Sequence, residues 1–171
     1  MKRIYYYPIV IVCVVLVVVL GYFCWFAPVT TVILLRHAER LNSTDTTSLS
    51  PEGFQRASML AHVVGGAGIG KIFVSDKVRT AQTAAPTAAA LGITPIQIPV
   101  AQTDRLVDSI NAHRGKVILI VGHSDTVPAV IERLGISLPP PIVPNEFDHL
   151  FIVTLSRCKS TLMRLKYGTP S

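Results

Sequence analysis

Continuous apolar runs alternate along the chain with segments whose apolar residues recur every three or four positions. The runs have the length of buried strands, and they predict strands at residues 29–35, 71–75, 94–98, 116–121, 151–155 and 161–165. The periodic segments predict helices that begin at Pro51 and lie around residues 81–88, 104–112 and 127–134. Because strands and helices alternate, we expect a three-layer α/β/α domain with a mostly parallel central sheet.

The apolar run at residues 4–26 is longer than any predicted strand and contains no charged residue. As a helix it would be about 34 Å long, enough to cross a hydrocarbon core of about 30 Å. Bulky side chains at residues 22–26 disfavour cleavage of a signal peptide, which needs small residues before the cut. We therefore expect one N-terminal transmembrane helix that is retained as a signal anchor.

The positive charges beside this run set the expected orientation. Lys2 and Arg3 precede the run, and such residues tend to stay on the cytoplasmic side of a membrane. We predict a membrane anchor at residues 1–28 and one domain at residues 29–171. The protein would be a single-pass protein of the cell (inner) membrane, in contact with the bilayer through residues 4–26, with its domain outside the cytoplasm.

The composition of the chain limits the class of protein to which the domain can belong. Of the 171 residues, 50% are hydrophobic and 15% are charged, which excludes a disordered chain. Without Lys2 and Arg3, 14 of the 16 basic residues remain against 10 acidic residues. This small excess is compatible with an anionic substrate and gives no reason to expect a nucleic-acid partner. Cys158 is the only cysteine after residue 28, so we expect no disulfide within the domain.

Chemically active side chains directly follow three of the predicted strands. His37 and His123 lie at the ends of two strands, and Arg79 follows a third. The carboxyl ends of parallel strands meet at one edge of a sheet, where ligands bind. Guanidinium groups bind phosphate oxygens in pairs, and a neutral imidazole is a competent nucleophile toward phosphorus. This combination predicts a site for phosphoryl chemistry.

Three segments carry a resemblance to a known family. They are Arg-His-Ala-Glu at 36–39, the run at 75–84 with Arg79, and Gly-His-Ser-Asp-Thr at 122–126. Over residues 30–165 the chain resembles the histidine phosphatase (phosphoglycerate mutase-like) superfamily, in the size range of its small phosphatase-type members. The resemblance implies that His37 becomes phosphohistidine and that Arg36, Arg79 and His123 form the phosphate pocket around it. It implies no metal and no organic cofactor.

The proton donor to the leaving group stays open between several carboxyl groups. The mutase-like branch of the family has a glutamate in an acid-rich stretch after the second arginine, where this chain offers only Asp104 and Asp108. Glu39 and Asp125 lie nearer the motifs. We favour Asp104, which follows the third predicted strand, and keep Glu39 as the alternative.

The sequence therefore predicts a membrane-anchored phosphatase, a metal-independent phosphoric monoester hydrolase acting on phosphomonoesters or phosphoamidates. Its substrate would be a phosphorylated small molecule, glycan or protein. The alternative is a membrane-tethered domain of the same fold that binds phosphorylated ligands with little or no turnover. We expect other arginines, among them Arg40, Arg56 and Arg133, to lie on solvated faces.

Overall fold

The computed structural model describes residues 6–25, 28–157 and 159–170. The helices are α1 (Tyr6–Trp25), α2 (Pro51–Val64), α3 (Val78–Leu91), α4 (Thr103–Ala112) and α5 (Thr126–Arg133). The strands are β1 (Thr30–Arg36), β2 (Ile69–Val74), β3 (Ile96–Gln97), β4 (Val117–Gly122), β5 (His149–Leu155) and β6 (Ser160–Lys166). Every strand and helix predicted after residue 28 is present, and β3 is shorter than predicted.

The strands form one six-stranded mixed sheet in the order β3-β2-β4-β1-β5-β6. The first four strands of this order run parallel to one another, as the pairs β2 with β3, β2 with β4 and β1 with β4 show. In contrast, β5 is antiparallel to β1, and β6 is antiparallel to β5. The α/β fold agrees with the sequence prediction, and the two antiparallel strands at one side make the sheet mixed.

Successive residues of a strand face opposite sides of a sheet, and here both sides are covered by helices. In β1, Val32 and Leu34 belong to a core that includes side chains of α4 and α5. Ile33 and Leu35 belong to a second core with side chains of α2 and α3. Strands buried on both faces contain few polar residues, which explains the continuous apolar runs in the sequence.

The predicted transmembrane helix is wrong. Among the described residues, no helix is both long and apolar enough to cross a membrane.

Two further predictions depended on that helix and are corrected with it. They are the localisation as a single-pass inner-membrane protein with an extracytoplasmic domain, and the bilayer contact through residues 4–26. Both ends of that run, at residues 4–5 and 26, lie outside the described residues. The domain boundary between residues 28 and 29 stays a prediction.

The pairing of β1 with β4 brings the ends of these strands to the same level. Arg36, the last residue of β1, pairs with Gly122, the last residue of β4. The backbone N–H of His37 donates to the Gly122 carbonyl at 3.0 Å. β2 ends alongside, because Val74 pairs with Val121 of β4. The carboxyl ends of β1, β4 and β2 therefore share one edge of the sheet.

A buried arginine anchors the segment that follows β1. Arg56 of α2 is only 3% exposed, and its Nε and Nη2 donate to the Glu39 carboxylate at 2.6 to 3.0 Å. The same guanidinium donates to the carbonyls of Tyr167 and Thr169, both at 3.0 Å. The expectation of a solvated Arg56 is wrong because acceptors from two distant segments replace the water around this charge.

The first turn of α2 packs on the same segment so closely that it requires glycine. A Cβ atom added to Gly53 would collide with the carbonyl oxygen of Glu39, a backbone atom that cannot rotate away. We expect Gly53→Ala to lower the free energy of unfolding by about 1–3 kcal/mol, the usual range for overpacking, as measured by urea denaturation.

Gly66→Ala is the matched control for this substitution. Gly66 lies just beyond α2, and an added Cβ would have no atom within 4 Å. This variant should be neutral or slightly more stable. Equal destabilisation by the two substitutions would contradict the close approach of Gly53 to Glu39.

Candidate active site

Four side chains from neighbouring strand ends meet at this edge of the sheet. The rings of His37 and His123 lie edge to face, with 5.3 Å between their centroids. Nη2 of Arg79, in the first turn of α3, lies 3.4 Å from Nδ1 of His123. Arg36 lines the same cavity as these three residues. The structure thus brings together all four residues that the resemblance implies for the phosphate pocket.

His37 is held in one tautomer. Its Nδ1 lies 2.7 Å from the carbonyl oxygen of Ala38, and because a carbonyl only accepts, Nδ1 carries the proton. Nε2 therefore has the free lone pair. Burial, together with the charges of Arg36 and Arg79, lowers the pKa of His37 from 6.5 to about 3. His37 is neutral at physiological pH, which is the form of imidazole that can attack phosphorus.

The loop that carries His37 is supported from α3. Thr83 Oγ1 accepts a hydrogen bond from the Ala38 N–H at 3.0 Å. The Thr83 hydroxyl donates in turn to the Arg79 carbonyl at 2.7 Å. Thr83 therefore ties the backbone next to His37 to the helix turn that presents Arg79.

Arg36 is fixed by the segment that precedes β5. Its Nη1 donates to the carbonyls of Val143, Pro144 and Glu146 at 3.2, 2.6 and 3.2 Å. Its guanidinium carbon lies 4.2 Å from the centroid of the Phe147 ring. Burial lowers the pKa of Arg36 to about 10, and the group stays charged at neutral pH. Among the described residues, the buried Nε of Arg36 has no hydrogen-bond partner and no carboxylate pairs with its guanidinium, which suits an anionic ligand.

Arg79 is prepared in a similar way. Its Nη1 donates to the backbone carbonyl of Asp45 at 2.8 Å, and its buried Nε has no hydrogen-bond partner within the part of the chain that the structure describes. Burial lowers the pKa of this guanidinium from its usual value. Lys77, the N-cap residue of α3, gives the helix no side-chain cap. Guanidinium and helix N–H groups therefore both favour an anion at this position.

A chain of hydroxyl groups fixes the tautomer of His123. Its Nδ1 faces Arg79, which only donates, so Nε2 carries the proton and donates to Ser75 Oγ at 2.8 Å. The Ser75 hydroxyl then donates to Thr80 Oγ1 at 3.0 Å, and the Thr80 hydroxyl donates to the Lys77 carbonyl at 2.8 Å. Burial and the Arg79 charge lower the pKa of His123 from 6.5 to about 4, so this imidazole is also neutral.

The four side chains line an open cavity of about 700 Å³, within the usual size range of small-molecule sites. Among the described residues, no group of three or more His, Cys, Asp or Glu side chains could hold a metal ion. The remaining lining consists of five charged residues (Arg40, Asp45, Asp76, Lys77 and Asp125) and five uncharged residues (Pro99, Val100, Ala101, Ser124 and Pro144). The cavity therefore offers cations, neutral imidazoles and carboxylates to one ligand.

The favoured proton donor does not lie in this cavity. Asp104 is on α4, where its side chain is 86% exposed and pairs with Arg133 Nε at 2.9 Å. The alternative, Glu39, has its carboxylate bound to Arg56. The structure brings neither carboxylate to the four residues above, because each is engaged by an arginine elsewhere. The carboxylates that do line the cavity are Asp45, Asp76 and Asp125.

A family model for the histidine phosphatase superfamily (branch 1) matches residues 32–109. The match includes Arg36, His37 and Arg79 in the places described above. This match supports membership of the histidine phosphatase superfamily. Membership of this superfamily supports phosphatase activity on a phosphorylated substrate. No curated protein matches the chain.

Solved structures resemble this chain over most of its length. The protein histidine phosphatase SixA, complexed with tungstate, is 19% identical, with 80% of this chain and 96% of that chain covered and a TM-score of 0.65. A mycobacterial glucosyl-3-phosphoglycerate phosphatase is 14% identical, with 74% and 90% covered and a TM-score of 0.62. A mutant phosphoserine phosphatase from Entamoeba histolytica, in complex with phosphoserine, is 16% identical, with 82% and 97% covered and a TM-score of 0.61. At these identities the likeness establishes the fold alone.

Some residues of this site were missed in the sequence or assigned no role there. Ser75 is the last residue of a predicted strand, close to the same sheet edge as His37 and His123, and that position was the available signal for its contact with His123. Phe147 and the carbonyls before it have no such signal, because they reach Arg36 only through the fold.

The lowered pKa of His37 makes the stability of the domain depend on pH. Between pH 6.5 and about 3, the unfolded chain binds a proton at this residue that the folded chain does not. The free energy of unfolding should therefore fall as the pH is lowered through this window. His37→Ala should remove part of the fall between pH 7 and 4.5, on the order of 2 kcal/mol, in denaturation curves recorded without phosphate.

His62→Ala is the control for this measurement. His62 is exposed on α2 and does not line the cavity. Its removal should leave the slope of stability against pH as in the unaltered protein. Identical slopes for the unaltered protein and His37→Ala would show that His37 is not held neutral by the fold.

Proposed function

We propose that the protein hydrolyses phosphomonoesters or phosphoamidates in two steps through a phosphohistidine on His37. In the first step Nε2 of His37 attacks phosphorus, the bond from phosphorus to the leaving oxygen or nitrogen breaks, and the leaving atom takes a proton. In the second step water attacks phosphorus, the phosphorus–nitrogen bond to His37 breaks, and inorganic phosphate leaves. Arg36 and Arg79 would bind the phosphoryl oxygens in both steps, and His123 would join them when the charge of the phosphoryl group brings a proton to its Nδ1.

The state of His37 is the observation that carries this proposal. Its Nδ1–H is bound to the Ala38 carbonyl, its pKa is lowered by burial, and its Nε2 lone pair is left for a ligand. A histidine with only a packing role needs no such preparation between two arginines. These features are what a nucleophilic imidazole requires.

Two further observations support a phosphoryl group as the ligand. Arg36 and Arg79 both line the cavity, and neither forms an ion pair with a carboxylate of the described residues, so a tetrahedral oxyanion could balance both charges. The similar structure of SixA was determined with tungstate, which is also a tetrahedral oxyanion. Both observations favour a phosphate dianion as the group that the cavity binds.

For the proton donor we propose Asp125 in place of Asp104. The negative charge of Asp125 raises the pKa of Arg36, Arg79 and His123, three of the proposed phosphate ligands. Asp76 raises the pKa of only two of these groups, and Asp45 that of only one. Asp125 Oδ1 accepts from the N–H of the next residue at 2.8 Å, so Oδ2 is left for the leaving group. Asp76 also accepts one backbone N–H, from Val100, which lowers its pKa, and it acts on fewer of the proposed phosphate ligands.

The nucleophile is tested by His37→Ala. We expect this variant to fold and to lose at least about a thousandfold in kcat for p-nitrophenyl phosphate, because it lacks the nucleophile of the first step. The unaltered protein should form an acid-labile phosphoryl-enzyme that His37→Ala lacks. His62→Ala, in the same background, should retain full activity.

The same experiment decides between the enzyme and a domain that only binds phosphorylated ligands. A binding domain would take up inorganic phosphate in calorimetry but would show no turnover of p-nitrophenyl phosphate and no phosphoryl-enzyme. Retention of a tenth or more of the activity by His37→Ala would also reject the phosphohistidine mechanism.

The proton donor is tested by Asp125→Asn, which keeps a good helix-capping side chain. We expect kcat for an alkyl phosphate to fall about a hundredfold or more, and kcat for p-nitrophenyl phosphate to fall much less, because nitrophenolate leaves without a proton. Asp104→Asn is the control and should change neither rate selectively. Equal slowing of both substrates by Asp125→Asn, or the selective pattern in Asp104→Asn, would reject this assignment.

A further inference from the structure

Arg40 is a third guanidinium in the cavity with no role in the mechanism above. It lies three residues after His37, is exposed, and lines the cavity together with Arg36 and Arg79. The sequence alone had suggested an ordinary solvated arginine. Its position in the cavity calls for a different explanation.

The other cations of the cavity are all engaged. Arg36 donates to three backbone carbonyls, and Arg79 donates to the Asp45 carbonyl. Lys77 Nζ pairs with the Asp45 carboxylate at 3.2 Å. Within the described part of the chain, the Arg40 side chain has neither a hydrogen-bond partner nor an ion-pair partner. Arg40 is therefore the cation that is available to a ligand.

Arg40 also stands close enough to its neighbours to repel them. Its charge lowers the pKa of Arg36 more than any other charge does, and it lowers the pKa of Arg79 as well. An arrangement of three like charges with an unpaired member is unfavourable in the empty site. A ligand with negative charge beyond a single phosphoryl group would relieve this repulsion.

The phosphoryl group itself does not need Arg40, because Arg36, Arg79 and His123 already surround His37. The cavity, at about 700 Å³, has room for a substrate group beyond the phosphoryl group. We propose that Arg40 binds a second anionic group of the substrate, a carboxylate or another phosphate, so that the preferred substrates are phosphomonoesters that carry a further negative charge. This inference rests on the proposed phosphatase function and names the class of its substrate.

The test compares substrates that differ only in the second anionic group. The reference is 3-hydroxypropyl phosphate, and the anionic probes are 3-phosphooxypropanoate, which carries a carboxylate, and 1,3-propanediol bisphosphate. The quantity measured is the ratio of kcat/KM for each anionic probe to kcat/KM for the reference. This ratio cancels general effects of a substitution on turnover.

We expect the unaltered protein to prefer at least one anionic probe and Arg40→Gln to lower that ratio about tenfold, mainly through KM. Arg114→Gln is the matched control: Arg114 is an exposed arginine outside the cavity, and its loss should leave the ratio unchanged. A fall for only the carboxylate or only the bisphosphate would support the proposal and identify the anion.

Two outcomes would overturn the proposal. An unchanged ratio in Arg40→Gln would show that Arg40 contacts no second group. If Arg40→Gln lowers kcat/KM equally for the reference and the probes, the ratio also stays unchanged, and Arg40 then contacts the transferred phosphoryl group instead. If the unaltered protein turns over none of the three compounds, the proposed phosphatase function fails, and the ratio of their Kd values with and without Arg40→Gln then tests the inference independently.

Discussion

The hydrogen bond from the His37 N–H to the Gly122 carbonyl extends the pairing of β1 with β4 by one residue beyond the sheet. That bond places the two imidazoles side by side, with ring centroids 5.3 Å apart. The turn after β4 allows it because Gly122 has no side chain: a Cβ there would lie 3.0 Å from Thr126 Oγ1 and 3.1 Å from Val127 Cγ2. The sheet thus fixes the positions of His37 and His123. Contacts from α3 and from the segment before β5 then orient Arg79 and Arg36 around these two imidazoles.

Electrostatics explain why such a pair suits phosphoryl chemistry. Burial and nearby arginines keep both imidazoles neutral, so the charge of the cavity comes from guanidinium groups. Those groups repel one another and keep buried N–H donors without partners. The fold therefore holds an arrangement that is unfavourable when empty and that an anion would stabilise. Such a site lowers the stability of the ligand-free protein and raises its affinity for the ligand.

The two carboxylates predicted as proton donors show that a position in the sequence does not fix where a side chain lies in the structure. Asp104 follows the third strand along the chain, and this position in the sequence predicts it as the proton donor. In the structure, however, β3 is a two-residue strand at the far edge of the sheet. The helix after it turns Asp104 toward Arg133 of α5. Glu39 is two residues from the nucleophile but is held by Arg56, whose burial no periodicity indicated. A carboxylate that lies near the nucleophile along the chain can therefore point away from it, because the loop after a strand does not follow the direction of the strand.

The sequence by itself determined the alternation of strands and helices, and with it the α/β fold, because strands buried on both faces must be apolar. It also determined that His37, His123 and Arg79 would meet, because residues directly after parallel strands share one edge of the sheet. It was wrong about a membrane-spanning helix, because no helix among the described residues is both long and apolar enough to be one. Only the tertiary structure decided the tautomers of the two histidines, the carbonyls that hold Arg36 and the carboxylates of the cavity. Each of these depends on contacts between segments far apart in the chain, whose geometry no local pattern of residues specifies.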